Sequence, residues 1–273
     1  MNFALHLQTP EQEQQEISAC LAAAHATPEI VICKQNTQST NDDALQLFQQ
    51  GYQTALVTSQ QQSQGRGQHQ RQWVSQSGNI FFSALLPLQR PIDGRLALEC
   101  GLSLIHCPMF AELEQLQLKW ANDLYSPQGK WGGILVEPVQ QKQVIIGIGI
   151  NVLPIVQQQG LPPNTNLLTL GLKDYQRSEL IAQMYVAMQQ AIQWFNFGSQ
   201  NLAQRFNAVA AFRQQNMHIT RHNNPDLSGI YQGIQDDGAL LIQVTDQPNP
   251  IACYDGRLVI PTHPTADDHH NAS

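Results

Sequence analysis

The chain has 273 residues, which is enough for one large domain and one small domain with a sizeable core. Charged residues make up only 13% of it, and glutamine takes the place of many surface charges. The net charge of −7 excludes a broad nucleic-acid-binding surface, although it leaves room for a small basic pocket.

The five cysteines form no CxxC pair and have no zinc-site spacing, so we expect reduced thiols. The N-terminus lacks the basic and apolar regions of a secretory signal. The longest apolar run, residues 144–156, is too short to span a bilayer. The sequence therefore predicts a soluble, cytoplasmic protein with no membrane partner.

Residues 1–28 are expected to be an N-terminal extension. Residues 1–12 have no regular pattern, and apolar periodicity predicts a helix over residues 13–26 that ends before Pro28. The segment is too short and too poor in basic residues for a winged helix-turn-helix, so we expect no DNA partner.

The next element is a strand over residues 30–32, followed by a helix that ends near Gln50. Ser39 and Thr40 with two acids behind them are typical of a helix start. Capping alone would explain these residues. A strand-to-helix junction also presents hydroxyls and free backbone N–H groups to a ligand.

A strand over residues 54–59 leads into a long polar connection, residues 60–73. Gly-x-Gly with two arginines in one connection suits phosphate binding, whereas the alternative is a flexible, solvated loop. Trp73 favours the first interpretation, because an aromatic side chain at this position can cover a ligand.

After a strand over residues 79–86 and a helix over residues 96–113, residues 116–137 predict a β-hairpin. Residues 126–129 (SPQG) have turn chemistry. The predicted tip carries Asn122, Asp123 and Lys130. These side chains beside two tryptophans indicate a site for a phosphorylated ligand and an amine.

Residues 144–151 predict a strand with two glycines and a terminal asparagine, and glycines in a strand often mark a close approach. Tight packing against a helix would explain them equally well. A loop over residues 153–168 and helices over residues 178–195, capped by Ser178, and 202–214 follow.

The pattern then changes to short strands at residues 230–234, 239–244 and 251–260, with an Asp-Gly turn between the first two. We therefore expect a large domain over residues 29–215, a small β domain over residues 216–262 and a disordered tail over residues 263–273.

Five stretches resemble the motifs of one family and occur in its order. They are residues 39–41 (STN), 62–73 (GRGRxGRxW), 119–123 (KWPND), 130–135 (KxxGIL) and 149–151 (GxGIN). Over roughly residues 30–260 the chain resembles the biotin–protein ligases, of the monofunctional type without a DNA-binding domain.

The resemblance implies an α+β fold. Its parts would be a class II aminoacyl-tRNA-synthetase/biotin-ligase-like mixed sheet with flanking helices and a small C-terminal Src-homology-3-like β-barrel. It also implies an ATP-dependent enzyme that attaches biotin to a lysine through biotinyl-5′-AMP, with Mg²⁺ as the metal. The partner would be the biotin carboxyl carrier protein of acetyl-CoA carboxylase or a related carrier domain.

The resemblance also assigns roles to individual residues, without a metal ligand among them. The catalytic residues would be Lys130, Arg66 and Asp123. The biotin-binding residues would be Ser39, Thr40, Asn41, Gln62, Gly65, Arg66, Gly67, Lys130 and Gly133. The residues that bind ATP and the adenylate would be Arg71, Trp73, Lys119, Asn122 and Asn151.

The chain departs from the family pattern in the loop at residues 60–73. Gln68 and His69 stand where the family repeats arginine, and Gln70 replaces a glycine. Fewer cations would then hold the adenylate, and we hypothesise that it escapes more readily than in relatives.

Three other interpretations are open for the same residues. A lipoate–protein ligase would have a triple-glycine loop, which is absent here. A non-catalytic biotin sensor would be expected to lose Lys130 or Arg66, and both are present. An α+β domain without a site leaves residues 60–73 unexplained. Whether the protein forms a homodimer through a sheet edge stays open.

Overall fold

The structure is a computed structural model that describes residues 8–68, 71–155, 163–221 and 224–259. Its helices are α1 (Pro10–Ala23), α2 (Thr40–Gln49), α3 (Arg95–Leu104), α4 (Arg177–Asn196) and α5 (Leu202–Val209). The first seven strands are β1 (Ile30–Thr37), β2 (Ala55–Gln62), β3 (Ile80–Pro87), β4 (Gln117–Lys119), β5 (Asp123–Ser126), β6 (Gly129–Gln140) and β7 (Gln143–Ile150). The last five are β8 (Asn216–Thr220), β9 (Leu227–Ile234), β10 (Leu240–Gln243), β11 (Ile251–Cys253) and β12 (Arg257–Val259).

The first seven strands form one mixed sheet in the order β1-β2-β3-β7-β6-β5-β4. Strands β1 and β2 are parallel, as expected for a pair joined through helix α2, and the other neighbours are antiparallel. This sheet and the helices beside it confirm the expected α+β class.

Alternation along the central strand β7 separates the two faces of this sheet. Val144, Ile146, Ile148 and Ile150 join the main core with α1, α3 and α4. Ile145 points to the other face, where it packs with residues of α2. The next two side chains on that second face are missing, because residues 147 and 149 are glycines.

Helix α1 begins earlier than predicted. Thr9 caps it, and Thr9 and Gln12 make reciprocal bonds in a capping box, so the helix starts at Pro10 rather than at residue 13. It packs against β1 and α4, and the carboxylate of Glu13 accepts a 2.5 Å bond from Arg177 in the main core.

Three other predicted helix ends were wrong. Helix α3 ends at Leu104 instead of residue 113, since Pro108 begins a separate 3₁₀ turn. Helix α4 begins at Arg177, so Ser178 lies inside it and bonds Gln8 instead of capping. Helix α5 ends at Val209 instead of residue 214.

The predicted hairpin at residues 116–137 contains three strands, not two. Strand β5 lies between β4 and β6, and residues 126–129 form the turn between β5 and β6. Asn122 lies in the first connection, whereas Asp123 and Lys130 are in strands rather than at a tip. Their side chains therefore have fixed neighbours in the sheet.

The C-terminal strands form a five-stranded antiparallel sheet in the order β11-β10-β9-β8-β12, which confirms a small β unit. The predicted strand over residues 251–260 is split by a turn at Gly256, whose φ is 120°. This unit contacts the large sheet where the Trp120 indole donates a 3.0 Å bond to the Gly238 carbonyl. The predicted disordered tail lies outside the described residues. None of the five described helices has the length and apolar character that crossing a bilayer requires.

Candidate active site

A cavity of about 390 Å³ lies on the α2 face of the large sheet, next to the two glycines of β7. These glycines form the floor of the cavity. Small residues on the neighbouring strands extend it, because Gly133 of β6 pairs with Gly149 and Ser83 of β3 pairs with Gly147. A Cβ at Gly147 would lie 2.3 Å from the side-chain oxygen of Asn41. Asn41 belongs to α2, so glycine is required here by tight packing against a helix, one of the two alternatives that the sequence left open.

One end of the cavity is lined by neutral, hydrogen-bonding side chains from α2 and β2. The Thr40 N–H and hydroxyl both donate to the Gln62 side-chain oxygen, at 2.9 and 3.2 Å. The Gln62 amide donates to Ser75, and Ser83 bonds Thr40 at 2.7 Å. Ser39 completes this polar end, which carries fixed donors and acceptors without a net charge of its own.

Arg66 lies at the edge of the polar end and is bound to the protein. Its guanidinium donates to Asp42 at 2.6 Å, to Glu137 at 3.2 and 3.3 Å, and to the Ser39 hydroxyl at 3.3 Å. These charge-assisted bonds raise the pKa of Arg66 above its ordinary value. The bond to Asp42 contributes most, and burial acts in the opposite direction. The cation is therefore already balanced by carboxylates.

The other end of the cavity has the opposite arrangement. The carboxylate of Asp123 accepts one bond from Lys130 and a 3.3 Å bond from Lys119. Burial alone would raise the pKa of Asp123, but the two ammonium groups hold it below its usual range. Burial and the neighbouring cations Lys130 and Arg257 lower the pKa of Lys119, with Asp123 opposing them. This is the cationic end of the cavity.

Trp73 lies between the two ends, above the glycine floor. The Lys130 ammonium is 5.3 Å from the centre of its ring, within cation–π range. A Cβ at Gly149 would lie 2.4 Å from the indole, so the ring occupies space that only glycine leaves. The indole N–H is buried and has no partner among the described residues.

The structure brings almost all of the predicted site residues into this one cavity wall. Those that line it are Ser39, Thr40, Asn41, Gln62, Arg66, Gly67, Arg71, Trp73, Lys119, Asn122, Asp123, Lys130, Gly133 and Asn151. Gly65 lies behind the wall, where a Cβ would come within 2.7 Å of Ser75. Asn122 is also engaged with the protein, since its side-chain amide donates to the Ile134 carbonyl at 2.8 Å.

The sequence analysis missed three charged residues of the site. Asp42 and Glu137 hold Arg66, as described above. Arg257, from β12 of the small sheet, lines the cavity, and its side chain makes no hydrogen bond or ion pair within the described part of the chain. Arg257 lies in residues 254–258 (YDGRL), which carry no local sequence signal for a site.

Comparison with known proteins shows which class of protein this chain belongs to. A family model described as "Biotin/lipoate A/B protein ligase family" matches residues 31–151, the stretch that carries the large sheet and the cavity floor. The biotin–[acetyl-CoA-carboxylase] ligase of Paracoccus denitrificans is 30% identical over 226 residues, which are 76% of this chain and 91% of the relative. This chain therefore belongs to the biotin–protein ligases and is an enzyme of that ligase class.

More distant relatives and solved structures agree with this family. The bifunctional ligase/repressor BirA of Escherichia coli is 26% identical over 200 residues, which are 69% of this chain and 61% of the relative. The biotin protein ligase of Aquifex aeolicus in complex with biotin and ATP superposes with a TM-score of 0.70 at 22% identity, covering 84% of this chain and 98% of the other. The Leishmania major enzyme with biotinyl-5-AMP gives 0.58 at 19% identity, covering 82% and 99%. These structures confirm the expected fold.

Proposed function

We propose that the enzyme attaches biotin to one lysine of a biotin carboxyl carrier protein, that of acetyl-CoA carboxylase or a related carrier domain. The intermediate is biotinyl-5′-AMP. The observation that carries the proposal is that one cavity joins a neutral, hydrogen-bonding end to a cationic end. The Paracoccus relative's name supports the carrier, and the ligands of the Aquifex and Leishmania structures support biotin, ATP and the adenylate.

In the first step an oxygen of the biotin carboxylate attacks the α-phosphorus of ATP. A new P–O bond forms, the bond to the bridging oxygen breaks, and pyrophosphate leaves. Two anions must approach each other, so the barrier falls when fixed cations surround them. We assign this work to Lys130 and Lys119, with Arg71 at the rim of the cavity.

In the second step the amine of the carrier lysine attacks the acyl carbon of the mixed anhydride. The amide bond forms, AMP leaves with the electron pair, and the amine loses a proton. Water would destroy the same anhydride, and Trp73 over the cavity floor is the residue that we assign to excluding it. Asn122 and Asn151 are assigned to the adenylate.

Biotin has a neutral ureido head, which matches the neutral end of the cavity. Ser39, Thr40 and Gln62 offer hydroxyl and amide groups in fixed positions, so binding costs little reorganisation. The thiophene ring and tail would lie along the bare floor at Gly133. Gly65, Gly67 and Asn41 shape the wall around them.

Asp123 is assigned a positioning role. Its pKa lies below the usual carboxyl range, and a general base works best when its pKa is near the operating pH. It therefore holds Lys119 and Lys130 in place and is a poor acceptor for an ammonium proton.

Mg²⁺ enters this proposal together with ATP. Across the described ranges, His, Cys, Asp and Glu side chains form no group of three or more that could hold a metal ion. Mg²⁺ is commonly held by substrate phosphates with one or two carboxylates. Asp123 is the only carboxylate among the described wall residues, and its two oxygens are paired with Lys130 and Lys119, so the described wall offers no free carboxylate for the ion. Mg²⁺ would therefore be held by the phosphates of ATP, whose charge it would neutralise.

In this proposal residues 29–215 act as the catalytic domain and residues 216–262 as a small β domain that closes one side of the cavity. Arg257 is then a contribution of the small domain to the cationic end.

The test is to mix the protein with biotin, ATP, Mg²⁺ and a biotin carboxyl carrier domain and to measure the carrier's mass. We expect a gain of one biotinyl group on one lysine, which a lysine-to-arginine carrier variant loses. A gain with lipoate and none with biotin would reverse the substrate assignment. Absence of any gain with either acid would overturn the proposal.

A further inference from the structure

Glu137 is a β6 carboxylate that touches two of the predicted biotin-binding side chains. One oxygen accepts from the Nε of Arg66 at 3.2 Å, and the other accepts from the Asn41 amide at 2.5 Å and from Arg66 at 3.3 Å. The residues are far apart in the chain, with Glu137 lying 71 residues from Arg66 and 96 from Asn41. A single carboxylate therefore joins the start of α2 to the segment that follows β2.

Asp42 completes this arrangement from the first turn of α2. Its carboxylate accepts a 2.6 Å bond from the Nη2 of Arg66, and Ser39 accepts from Nη1 at 3.3 Å. A guanidinium has five N–H donors, and four hydrogen bonds to the protein leave Arg66 little capacity for a ligand. Two carboxylates also more than neutralise its single positive charge. These contacts fit a bridge between parts of the protein better than they fit a free cation.

The bridge has a definite mechanical effect. The segment at residues 63–68 is tied to β1 and its end by backbone bonds from Ser63 to Thr37 and from Gln64 to Gln38, both 2.9 Å. In addition to these two bonds, the segment is attached to α2 and β6 through the Arg66 side chain, which binds Asp42 and Glu137. Orienting Arg66 therefore fixes where the segment meets the cavity.

We propose that Glu137 and Asp42 are positioning residues, which hold Asn41 and Arg66 in the wall of the biotin end, and that Arg66 acts there as a bridge. This rests on the proposed function for its ligand, but the bridge itself exists without one. The opposite view is that Arg66 supplies charge to an anion and that its ion pairs are incidental. About a third of each partner is exposed, 32% for Arg66 and 33% for Glu137, so incidental pairs would contribute little.

The two views predict opposite signs when Glu137 is neutralised. Glu137→Gln keeps the shape of the side chain but loses the charge that holds Arg66. If Arg66 is a bridge, biotin binding weakens, by about tenfold for a charge-assisted network of this kind. If Arg66 is a ligand cation, removing the carboxylate frees its charge, and binding of an anionic ligand becomes tighter.

The experiment combines a ligand-free measurement with a double-mutant cycle. Hydrogen exchange of peptides covering residues 61–68 is compared in wild type, Glu137→Gln, Asp42→Asn and the control Glu179→Gln, an exposed glutamate of α4 outside the cavity wall. We expect faster exchange in the first two variants alone. Biotin Kd is then measured by calorimetry for Arg66→Met, Glu137→Gln and the double variant, with thermal melting as a check on folding.

For a bridge, each single variant raises biotin Kd about tenfold and the double variant adds no more than about twofold, because both changes break one interaction. Multiplied effects in the double variant, tighter binding in Glu137→Gln, or exchange equal to that of the Glu179→Gln control would each overturn the proposal. If wild type binds no biotin while exchange still rises in Glu137→Gln, the proposed function fails and the bridge stands. The Asp42 side chain is 42% exposed, more than that of Glu137, so Asp42→Asn keeps the test valid if Glu137→Gln does not fold.

Discussion

At the polar end of the cavity, which we assign to biotin, one cation, Arg66, lies between two carboxylates. At the cationic end, which we assign to the phosphates, one carboxylate, Asp123, lies between two lysines. The first group has a surplus of negative charge, and its carboxylates bind other side chains of the protein. The second has a surplus of positive charge, which Arg257 increases. Similar ion pairs therefore serve different purposes at the two ends.

The difference follows from what each end would bind. A neutral polar ligand needs fixed donors and acceptors and gains little from a free cation beside it. Phosphates need a surplus of cations in a place where water is excluded. Lys119, which is only 6% exposed, is kept in such a place by Asp123. Mutations that change one end without the other test this division.

The largest effect is expected from Lys130→Ala, which removes a cation from the phosphate end. We expect the rate of adenylate formation to fall by about 100-fold or more, a loss typical of removing one preorganised donor to developing charge. Pyrophosphate release with biotin and ATP measures it. The control is Lys173→Ala, which removes an exposed lysine outside the cavity wall. An unaffected first step would show that Lys130 does not face the phosphates.

Gly147→Ala is expected to disturb the polar end of the cavity instead. The added Cβ would lie 2.3 Å from the Asn41 side-chain oxygen, so Asn41 has to leave Glu137 or Ser83. Such overpacking costs about 2 kcal/mol, or roughly 30-fold in biotin Kd, with ATP affinity little changed. Gly94→Ala is the matched control, because a Cβ there meets nothing within 4 Å. Equal biotin binding by the two variants would mean that Asn41 does not shape the pocket.

The sequence predicted which residues line the cavity better than it predicted the contacts between them. The resemblance to the family's motifs identified Thr40, Gln62 and Lys130, because each motif is a short stretch that can be matched locally. The bridge from Arg66 to Glu137 joins residues 71 positions apart, and it depends on the register of β6 against β7. Register is a property of the whole sheet, which a local pattern does not contain.

The same limit applies to the fold. The glycines of β7 were recognised, but two explanations remained until Asn41 and Trp73 were placed on them. Strand β5 was missed because its four residues were counted with the tip of a hairpin. Helix ends shifted where a capping box at Thr9 or a proline at residue 108 overrode apolar periodicity.

Arg257→Ala tests whether the small β domain belongs to the phosphate end. Arg257 lines the cavity and contributes to lowering the pKa of Lys119. We expect the KM for ATP to rise by roughly fivefold while biotin Kd stays unchanged, since one partly exposed charge is worth about 1 kcal/mol. Arg213→Ala removes an exposed arginine outside the cavity wall and serves as the control. A rise in biotin Kd instead would move Arg257 to the other end.

The smallest effect concerns Gln68, which lines the cavity where the family pattern has an arginine. Gln68→Arg adds a cation that no described carboxylate of the wall except Asp123 can balance, so it should attract the adenylate phosphate. We expect adenylate release to slow by roughly threefold, the effect of one exposed ion pair, and more at low salt because screening is weaker. Release is timed by chasing labelled biotinyl-5′-AMP, with Gln72→Arg as a second cation in the same wall. If Gln68→Arg and wild type release the adenylate at equal rates, the missing arginine does not loosen it. If both arginine variants slow release equally, the cationic end responds to charge in general and not to position 68.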